Sequence, residues 1–261
     1  MSMVKVIFRG RELEFPGSVD EMTPQQYREL LTSVLMLQAS EFPPLEVRRA
    51  LFALLAGVSA PLRILKDEVL AEIDARLSSL DGFFRMTPSG EVLKWQPVCN
   101  LMPECEGYKG PGDLLDGVSF GEFVECLTLL EEIPADDHHG AFVVYSRIAR
   151  ILYHIPDDNE VPELLLLHAP AMFGAVWSAI MSGPIEFNGK KIDFRIIFKS
   201  SGPGKPDDKT GWSGVTFEVA AAGLFGKVAE VEQTPFWDVL LYLYKCKFEY
   251  LNESRKNGSS K

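Results

Sequence analysis

The sequence predicts a mainly helical α+β fold: a helical body with two or three small β-hairpins at its edges. Apolar residues recur at helical spacing through most of the 261 residues. Two helix starts carry the pattern of a capping box, and short apolar runs flank tight-turn residues at three places. Neither a fixed repeat nor a long linker interrupts the chain. We therefore expect one domain over residues 1–261, with a hairpin at 4–15, a helical body at 23–182, a hairpin at 184–198 and C-terminal helices at 211–251.

The N-terminal segment combines a hairpin with a helix. Two short apolar runs within residues 4–15 flank Gly10, which suits a tight turn. Thr23 can accept a hydrogen bond from the free amides of a helix start, Pro24 suits the first helical position, and Gln26 completes a capping box. This first helix should turn one apolar face to the core, formed by Tyr27, Leu30, Leu31, Val34 and Leu35.

Two further helices and a hairpin are expected next. Pro43-Pro44 begins a second helix, which Gly57 ends. Pro61 begins a third helix, whose apolar stripe closes at Asp81-Gly82 and is too short for a coiled coil. Its members are Leu62, Leu65, Val69, Ile73, Leu77 and Leu80. Pro88-Ser89-Gly90 then predicts the turn of a second small hairpin.

The middle of the chain alternates loops with helices. Cys99 to Asp116 is rich in Pro and Gly and predicts a loop. Ser119 and Glu122 form a second capping box, so a helix should begin there and turn Phe123, Leu127 and Leu130 inward. Pro134 to Gly140 breaks the helical pattern, which resumes from Ala141 to His154.

Leu164 to Met181 could be a core helix or a membrane span. Its eighteen residues contain no Asp, Glu, Lys or Arg, which meets the minimum length of a span. It contains His168 and Pro170, however, and no Lys or Arg anchors it nearby. The segment therefore predicts a wholly buried core helix.

The C-terminal third begins with the strongest hairpin signal. Asn188-Gly189 suits a type I′ turn between Ile185-Glu186-Phe187 and Ile192-Asp193-Phe194. A charged loop rich in Gly and Pro should follow from Ser200 to Lys209.

Thr210 to Leu251 predicts a pair of helices around which the chain packs. The second helix should begin at Thr234-Pro235, the same device that begins the first helix of the chain. We expect Trp212 and Trp237 to be core anchors, because large aromatic side chains contribute most when they are buried. Asn252 to Lys261 predicts a frayed polar tail.

The net charge of −11 is concentrated in one segment. Glu104 to Glu163 contains 14 acidic and three basic residues, and the rest of the chain is neutral overall. An acidic surface argues against nucleic acid, because phosphate binding needs basic side chains. We expect segment 104–163 to be a solvated acidic face, with a docking surface for a basic partner as the alternative.

The four cysteines are few for the length of the chain, and no signal-peptide pattern opens it. Both observations favour a reduced, cytoplasmic location. No motif predicts a catalytic, cofactor or metal site. Gly202-Pro203-Gly204-Lys205 lacks the Ser or Thr that a Walker motif places after its Lys. Cys99 and Cys105 are spaced too widely for typical zinc ligands, and the adjacent His138 and His139 point in different directions.

An enzyme with a dispersed site is the alternative to a non-enzymatic protein. Such a site would join Cys126 or Cys246 to His154 or His168, since nucleophile and base meet in space rather than along the chain. Ser213 is not in a nucleophile elbow, because its glycines are one residue too close.

Several segments carry a resemblance to a known group of proteins. They are Phe15 to Tyr27, Tyr108 to Leu114 with Val118 to Phe123, Arg150 to Tyr153, and Gly211-Trp212 with Phe236 to Tyr244. Together they resemble the corresponding segments of uncharacterised proteins encoded in prophages of gut anaerobes. The chain departs from that pattern after Tyr153, where Arg-Pro is missing, and from Ile185 to Lys205.

The resemblance implies a role in tailed-phage morphogenesis, as a tail assembly chaperone. Such a chaperone is cytoplasmic and non-enzymatic, and it binds apolar helices of a phage tail or tape-measure protein until the tail tube covers them. The expected partner is therefore a protein, with no nucleic acid, membrane or cofactor. A membrane-associated protein that uses Leu164 to Met181 is the remaining alternative.

Overall fold

A computed structural model describes residues 3–38, 43–58, 61–88, 90–132, 138–187, 189–198 and 210–258; for residues 35–38, 138–139 and 255–258 it describes the backbone alone. Helices make up most of these residues, and four two-stranded antiparallel sheets lie among them. The fold is mainly helical α+β, as predicted. The hairpins number four within the described ranges rather than two or three.

The elements have the following bounds. The α-helices are α1 Pro24–Gln38, α2 Pro44–Leu55, α3 Asp67–Asp74, α4 Phe120–Glu131, α5 His138–Tyr153, α6 Glu163–Ser182, α7 Arg195–Phe198, α8 Gly211–Ala221, α9 Val228–Gln233 and α10 Phe236–Gly258. The strands are β1 Val4–Phe8, β2 Arg11–Phe15, β3 Phe84–Thr87, β4 Gly90–Leu93, β5 Glu104–Cys105, β6 Tyr108–Lys109, β7 Ile185–Phe187 and β8 Lys190–Ile192. Buried apolar side chains from Val6 to Leu240 form one continuous cluster.

The N-terminal hairpin and the first helix are confirmed. Gly10 has a φ of 72° in the turn, a conformation that glycine adopts without steric cost. The capping box forms at α1, because the Gln26 amide donates to the Thr23 hydroxyl (3.2 Å) and the Thr23 amide donates to the Gln26 side chain (3.0 Å). Phe8 and Phe15 pack edge-to-face on Phe52 of α2, so the hairpin covers that helix.

The single long helix predicted after Pro61 is wrong. The segment forms a 3-10 turn at Leu62–Ile64, the short helix α3, and a second 3-10 stretch at Leu77–Phe83. The backbone at Leu65 is extended, with a ψ of 145°, which breaks the first part. Arg48 of α2 donates to the Leu77 carbonyl at 2.9 Å, so a partner elsewhere in the chain satisfies a carbonyl that a continuous α-helix would use.

The starts of α4 and α10 are tied to each other, and this contact positions the site described below. The predicted capping box at Ser119 and Glu122 is present, with distances of 2.8 and 3.3 Å. The Phe120 amide donates to the Thr234 carbonyl at 2.7 Å, and the Phe236 amide donates to the Val118 carbonyl at 3.1 Å. The residues just before α4 and just before α10 therefore pair with each other, and the two helices begin side by side.

The hairpins depart from the predictions in two places. The predicted loop from Cys99 to Asp116 contains a two-residue hairpin, β5 and β6, and a 3-10 turn. The hairpin at Gly189 is confirmed, but its second strand ends at Ile192 instead of continuing to Phe198. Asp193 follows the strand, and its carboxylate accepts from the amide of Arg195, the first residue of the short helix α7, at 3.1 Å.

Helix α6 is confirmed as a helix, but only half of it is buried. Its buried side includes His168, Phe173 and Val176, whereas Ser178 is exposed on the other side. Of the helices in the described ranges, it is the one that is long and apolar enough to cross a membrane. Its buried side packs against α5 and α1.

The C-terminal segment contains one helix more than predicted. The short helix α9 lies between the two expected helices, and α10 continues to Gly258. The prediction of a frayed tail from Asn252 is therefore wrong as far as Gly258. Helix propensity of the charged residues in this segment is sufficient to extend a helix that the core has already started.

Candidate functional site

An open apolar groove of about 640 Å³ lies beside the second half of α10. We call it the C-terminal groove. Its lining residues come from α4, α6, α7, α8 and α10: Glu131, Trp177, Ile197, Phe198, Gly211, Trp212, Val215, Glu218, Leu243, Cys246, Lys247 and Tyr250. On α8 the lining includes Trp212, Val215 and Glu218, and on α10 Leu243, Cys246 or Lys247, and Tyr250, at spacings of three or four, so each helix contributes a single face.

The floor of the groove is an aromatic cluster that continues into the core. Trp177 contacts Phe198 and Trp212 edge-to-face, with ring centroids 5.3 and 6.3 Å apart. Beneath them, Phe123 contacts both tryptophans and stacks on Phe236 at 4.8 Å. Each such pair contributes about 0.5–1.5 kcal/mol beyond its buried area. The starts of α4 and α10 thus hold the floor in place.

The rim of the groove is charged. Glu131 at the end of α4 and Glu218 on α8 are both exposed. The Lys247 ammonium lies 5.9 Å from the centre of the Tyr250 ring, whose side chain is 53% exposed. The site therefore combines an apolar floor, the solvent-exposed aromatic side chain of Tyr250, and acidic groups at the edge.

The two tryptophans singled out in the sequence have different roles. Trp237 is buried, and its indole N–H donates to the Leu114 carbonyl at 3.0 Å, which confirms the prediction of a core anchor. Trp212 is half-buried: one side meets Phe120 and Phe123, and the other lines the groove. It is both a core contact and a wall of the site.

His168 lies in a separate, fully buried polar network. The Asn100 side chain donates its N–H to the Pro111 carbonyl (2.6 Å), so its oxygen is the atom that accepts from the Met102 amide (2.8 Å). That oxygen lies 3.0 Å from Nε2 of His168, which must therefore carry the proton. Nδ1 then accepts from the Tyr27 hydroxyl at 3.1 Å.

This network leaves His168 without a free ring nitrogen. Burial lowers the pKa of His168 to about 3, so the ring is neutral near pH 7. Burial also raises the pKa of Tyr27 and of Tyr153, whose hydroxyl donates to the Met102 carbonyl at 2.7 Å. The cluster joins α1, α5 and α6 to the loop before α4, and its geometry suits a structural role.

His154 lies on a different surface. Its Nδ1 is 3.5 Å from a carboxylate oxygen of Glu122, and the imidazole is 70% exposed. The other carboxylate oxygen of Glu122 accepts from the Ser119 amide in the capping box. His154 and Ser213 line one cleft of about 770 Å³, and His154 also lines a smaller one of about 270 Å³.

The structure does not join the histidines and cysteines of the dispersed-site hypothesis in the pairs expected. His154 lies beside Glu122, and the two ring nitrogens of His168 form hydrogen bonds with Tyr27 and Asn100. Cys126 is buried in α4, where burial raises its thiol pKa, and Cys246 lines the C-terminal groove. Burial likewise raises the pKa of Cys99 to about 12, with a further contribution from the nearby Asp20 carboxylate.

Some sequence candidates cannot be placed. Gly202 to Lys205 and the loop from Ser200 to Lys209 lie outside the described residues, as do the side chains of His138 and His139. Within the described part of the chain, no three His, Cys, Asp or Glu side chains form a group that could hold a metal ion.

The acidic segment 104–163 does not form one surface. Glu122 and Glu125 line the cleft beside His154, whereas Glu131 lines the C-terminal groove. Glu122 and Glu131 are nine residues apart on one helix, which places them on opposite sides at about 3.6 residues per turn.

Comparison with protein-family models, with curated proteins and with solved structures finds no match to this chain. The resemblance to prophage proteins thus stays a prediction.

Proposed function

We propose that this chain is a non-enzymatic binding protein that holds an apolar helix of another protein in the C-terminal groove, as a phage tail assembly chaperone does. The observation that carries the proposal is the aromatic floor formed by Trp177, Phe198 and Trp212, which is open to solvent and surrounded by charges. Exposed apolar surface with a polar rim is typical of protein-binding grooves.

The shape of the groove favours a helix as the bound element. Leu243 and Tyr250 on α10 are separated by two helical turns, and Trp212 and Val215 on α8 face the same space. A helix presents side chains at positions i, i+4 and i+7 along one face, which matches a furrow lined by two helices. The volume of about 640 Å³ accommodates several such side chains.

Preorganisation also supports the proposal. The floor is held by Phe123 and Phe236, both completely buried, so it does not have to be ordered when a partner binds. Ordering side chains on association costs about 0.5–1.5 kcal/mol each, and a fixed aromatic floor avoids that cost. The resemblance supplies the phage context, in which the partner is a tail or tape-measure protein and the location is cytoplasmic.

The binding test uses a synthetic amphipathic peptide of about 18 residues, with Leu at helical spacing and Gln elsewhere. Its fluorescein label reports binding to the full chain by anisotropy. Tyr250→Ala removes a ring worth about 1.5–3 kcal/mol when it is buried, and should weaken binding about tenfold or more. Phe248→Ala is the matched control, because Phe248 is equally exposed (48%) on the same helix but stacks on Tyr244 outside the groove.

Equal loss of binding in both variants, or no binding by the unmodified chain, would contradict the groove as the site. The phage context has its own test. The gene should lie between those for the tail tube and the tape-measure protein, and the chain should co-purify with a phage structural protein after induction. A gene placed among metabolic genes would remove the phage context and leave the peptide result unaffected.

A further inference from the structure

We infer that the helix held in the C-terminal groove is basic along its polar flank. This inference rests on the proposed function and adds the charge of the partner. The groove is entered past two exposed carboxylates, Glu131 and Glu218, on its rim. Neither forms an ion pair with a Lys or Arg among the described residues.

The backbone adds to the negative potential at one end of the groove. Glu131 is the last residue of α4, and helix C-termini carry a partial negative charge of about half a unit from their free carbonyls. Glu132, the next residue, is also exposed. A Lys or Arg side chain near this point meets two carboxylates and a helix end, all of which favour a positive charge.

Among the described residues that line the groove, Lys247 is the one cation beside two carboxylates. Lys247 is placed over the Tyr250 ring on α10, whereas the carboxylates lie on α4 and α8. Acidic side chains on the partner would be repelled by both carboxylates and attracted by one ammonium group only. The net charge of −11 on the chain acts in the same direction, because it attracts a basic partner over longer distances.

The apolar surface needs a partner that is amphipathic as well as basic. The lining of the groove includes the apolar or aromatic side chains of Val215, Leu243 and Tyr250. A purely basic, disordered segment would leave this surface and the tryptophan floor in water. The structure therefore fits an amphipathic helix with Leu-like anchors on one face and Lys or Arg beside them.

The test compares three labelled peptides that share one set of Leu positions and differ in their polar residues, which are Lys, Gln or Glu. The order of affinity should be Lys over Gln over Glu. Exposed ion pairs contribute modestly, so each rim carboxylate should account for about a two- to fivefold preference of Lys over Gln. The preference should shrink between about 50 mM and about 300 mM NaCl, because salt screens exposed charges.

Paired variants separate the groove from the overall charge of the chain. Glu131→Gln/Glu218→Gln should lose most of the preference for the Lys peptide and keep its affinity for the Gln peptide. Asp158→Asn/Glu160→Gln removes the same charge from an exposed loop outside the groove, and should keep the preference. Loss of the preference in both pairs would show general attraction to an acidic protein and overturn the inference.

The remaining outcomes are distinct. If none of the three peptides binds, the proposed function fails and the inference fails with it. If all three bind equally and Tyr250→Ala weakens them equally, the groove binds helices but the inference of a basic partner is overturned. If sedimentation shows a dimer that Tyr250→Ala converts to monomers and that the Lys peptide does not dissociate, the occupant is a second copy of the chain, which also overturns it.

Discussion

Mild acid should destabilise this fold through His168. The folded protein holds this imidazole neutral and buried, between the Tyr27 hydroxyl and the Asn100 side chain. Its pKa falls from 6.5 in an exposed chain to about 3 in the fold, because burial penalises the charged form. Between those two values the unfolded chain binds one proton that the folded chain does not.

The sign and size of the effect follow from this difference. Stability rises with pH wherever the unfolded state binds more protons, so the contribution of His168 is complete above pH 6.5 and is lost as the pH falls. The slope is about 1.4 kcal/mol per pH unit. Between pH 7.5 and pH 5 the free energy of unfolding should therefore decrease by about 2 kcal/mol.

Urea denaturation followed by far-ultraviolet circular dichroism measures this decrease. The range stops at pH 5 because Arg49 and Arg48 lower the pKa values of Asp74 and Glu91, whose contributions are lost only at lower pH. His168→Gln should lower stability at pH 7.5 and flatten the slope. Ser178→Ala, at an exposed position of the same helix, is the matched control and should keep the slope of the unmodified chain.

An unchanged slope in His168→Gln would refute the reasoning. So would a free energy of unfolding in the unmodified chain that stays constant from pH 7.5 to pH 5. If the variant does not fold, the unmodified chain still decides the matter. Nitrogen chemical shifts of its imidazoles should show one ring that keeps its proton on Nε2 and does not titrate down to pH 5.

Two further predictions concern stability and use the same urea assay. Gly82→Ala should destabilise the fold by about 1–3 kcal/mol or more, because its Cβ would lie 2.0 Å from the Gly17 carbonyl oxygen. Gly174→Ala, inside α6 with open space around it, should stabilise the fold by about 0.5–1 kcal/mol. If both glycine variants changed the free energy of unfolding in the same direction, the packing described for these two positions would be contradicted. Ser119→Ala should cost about 1 kcal/mol through loss of the helix cap, whereas the exposed Ser178→Ala should stay within about 0.5 kcal/mol of the unmodified chain.

Local chemistry explains the elements that the sequence predicted correctly. Thr23 and Ser119 each begin a helix because the partner of the side-chain oxygen is only three residues away. Gly10 likewise marks a turn through its own backbone freedom. Such features depend on neighbours along the chain, so the fold class and most helix starts are visible without a structure.

Hydrogen bonds of polar and charged side chains accompany the failures, one over a long and one over a short sequence distance. The helix expected after Pro61 is interrupted, and Arg48 of α2 donates a hydrogen bond to the Leu77 carbonyl within that segment. The second strand of the last hairpin ends before Asp193, whose carboxylate accepts from the Arg195 amide two residues further along the chain. Apolar spacing alone cannot report either event, because the competing hydrogen bonds come from side chains whose partners the pattern does not contain.

The C-terminal groove was hidden for the same reason. Its lining comes from five helices between Glu131 and Tyr250, and the sequence pattern does not show that Trp212 and Cys246 share one groove. One signal was present: Leu243, Lys247 and Tyr250 continue a helical face beyond the last core residues of α10. Because apolar residues keep helical spacing in this part of the sequence, it predicts a longer helix with one face exposed.

Under the proposed function, helix α10 joins folding to binding through its length. Its first turns, with Phe236, Val239 and Leu240, are completely buried, whereas Tyr250 is 53% exposed. At about 1.5 Å per residue, Phe236 and Tyr250 lie about 20 Å apart on one rigid element. The core fixes the direction of the helix, and that direction sets the position of Tyr250 relative to Trp212. Under the proposed function, substitution of Phe236 should therefore reduce stability and peptide binding together, whereas Tyr250→Ala should reduce peptide binding alone.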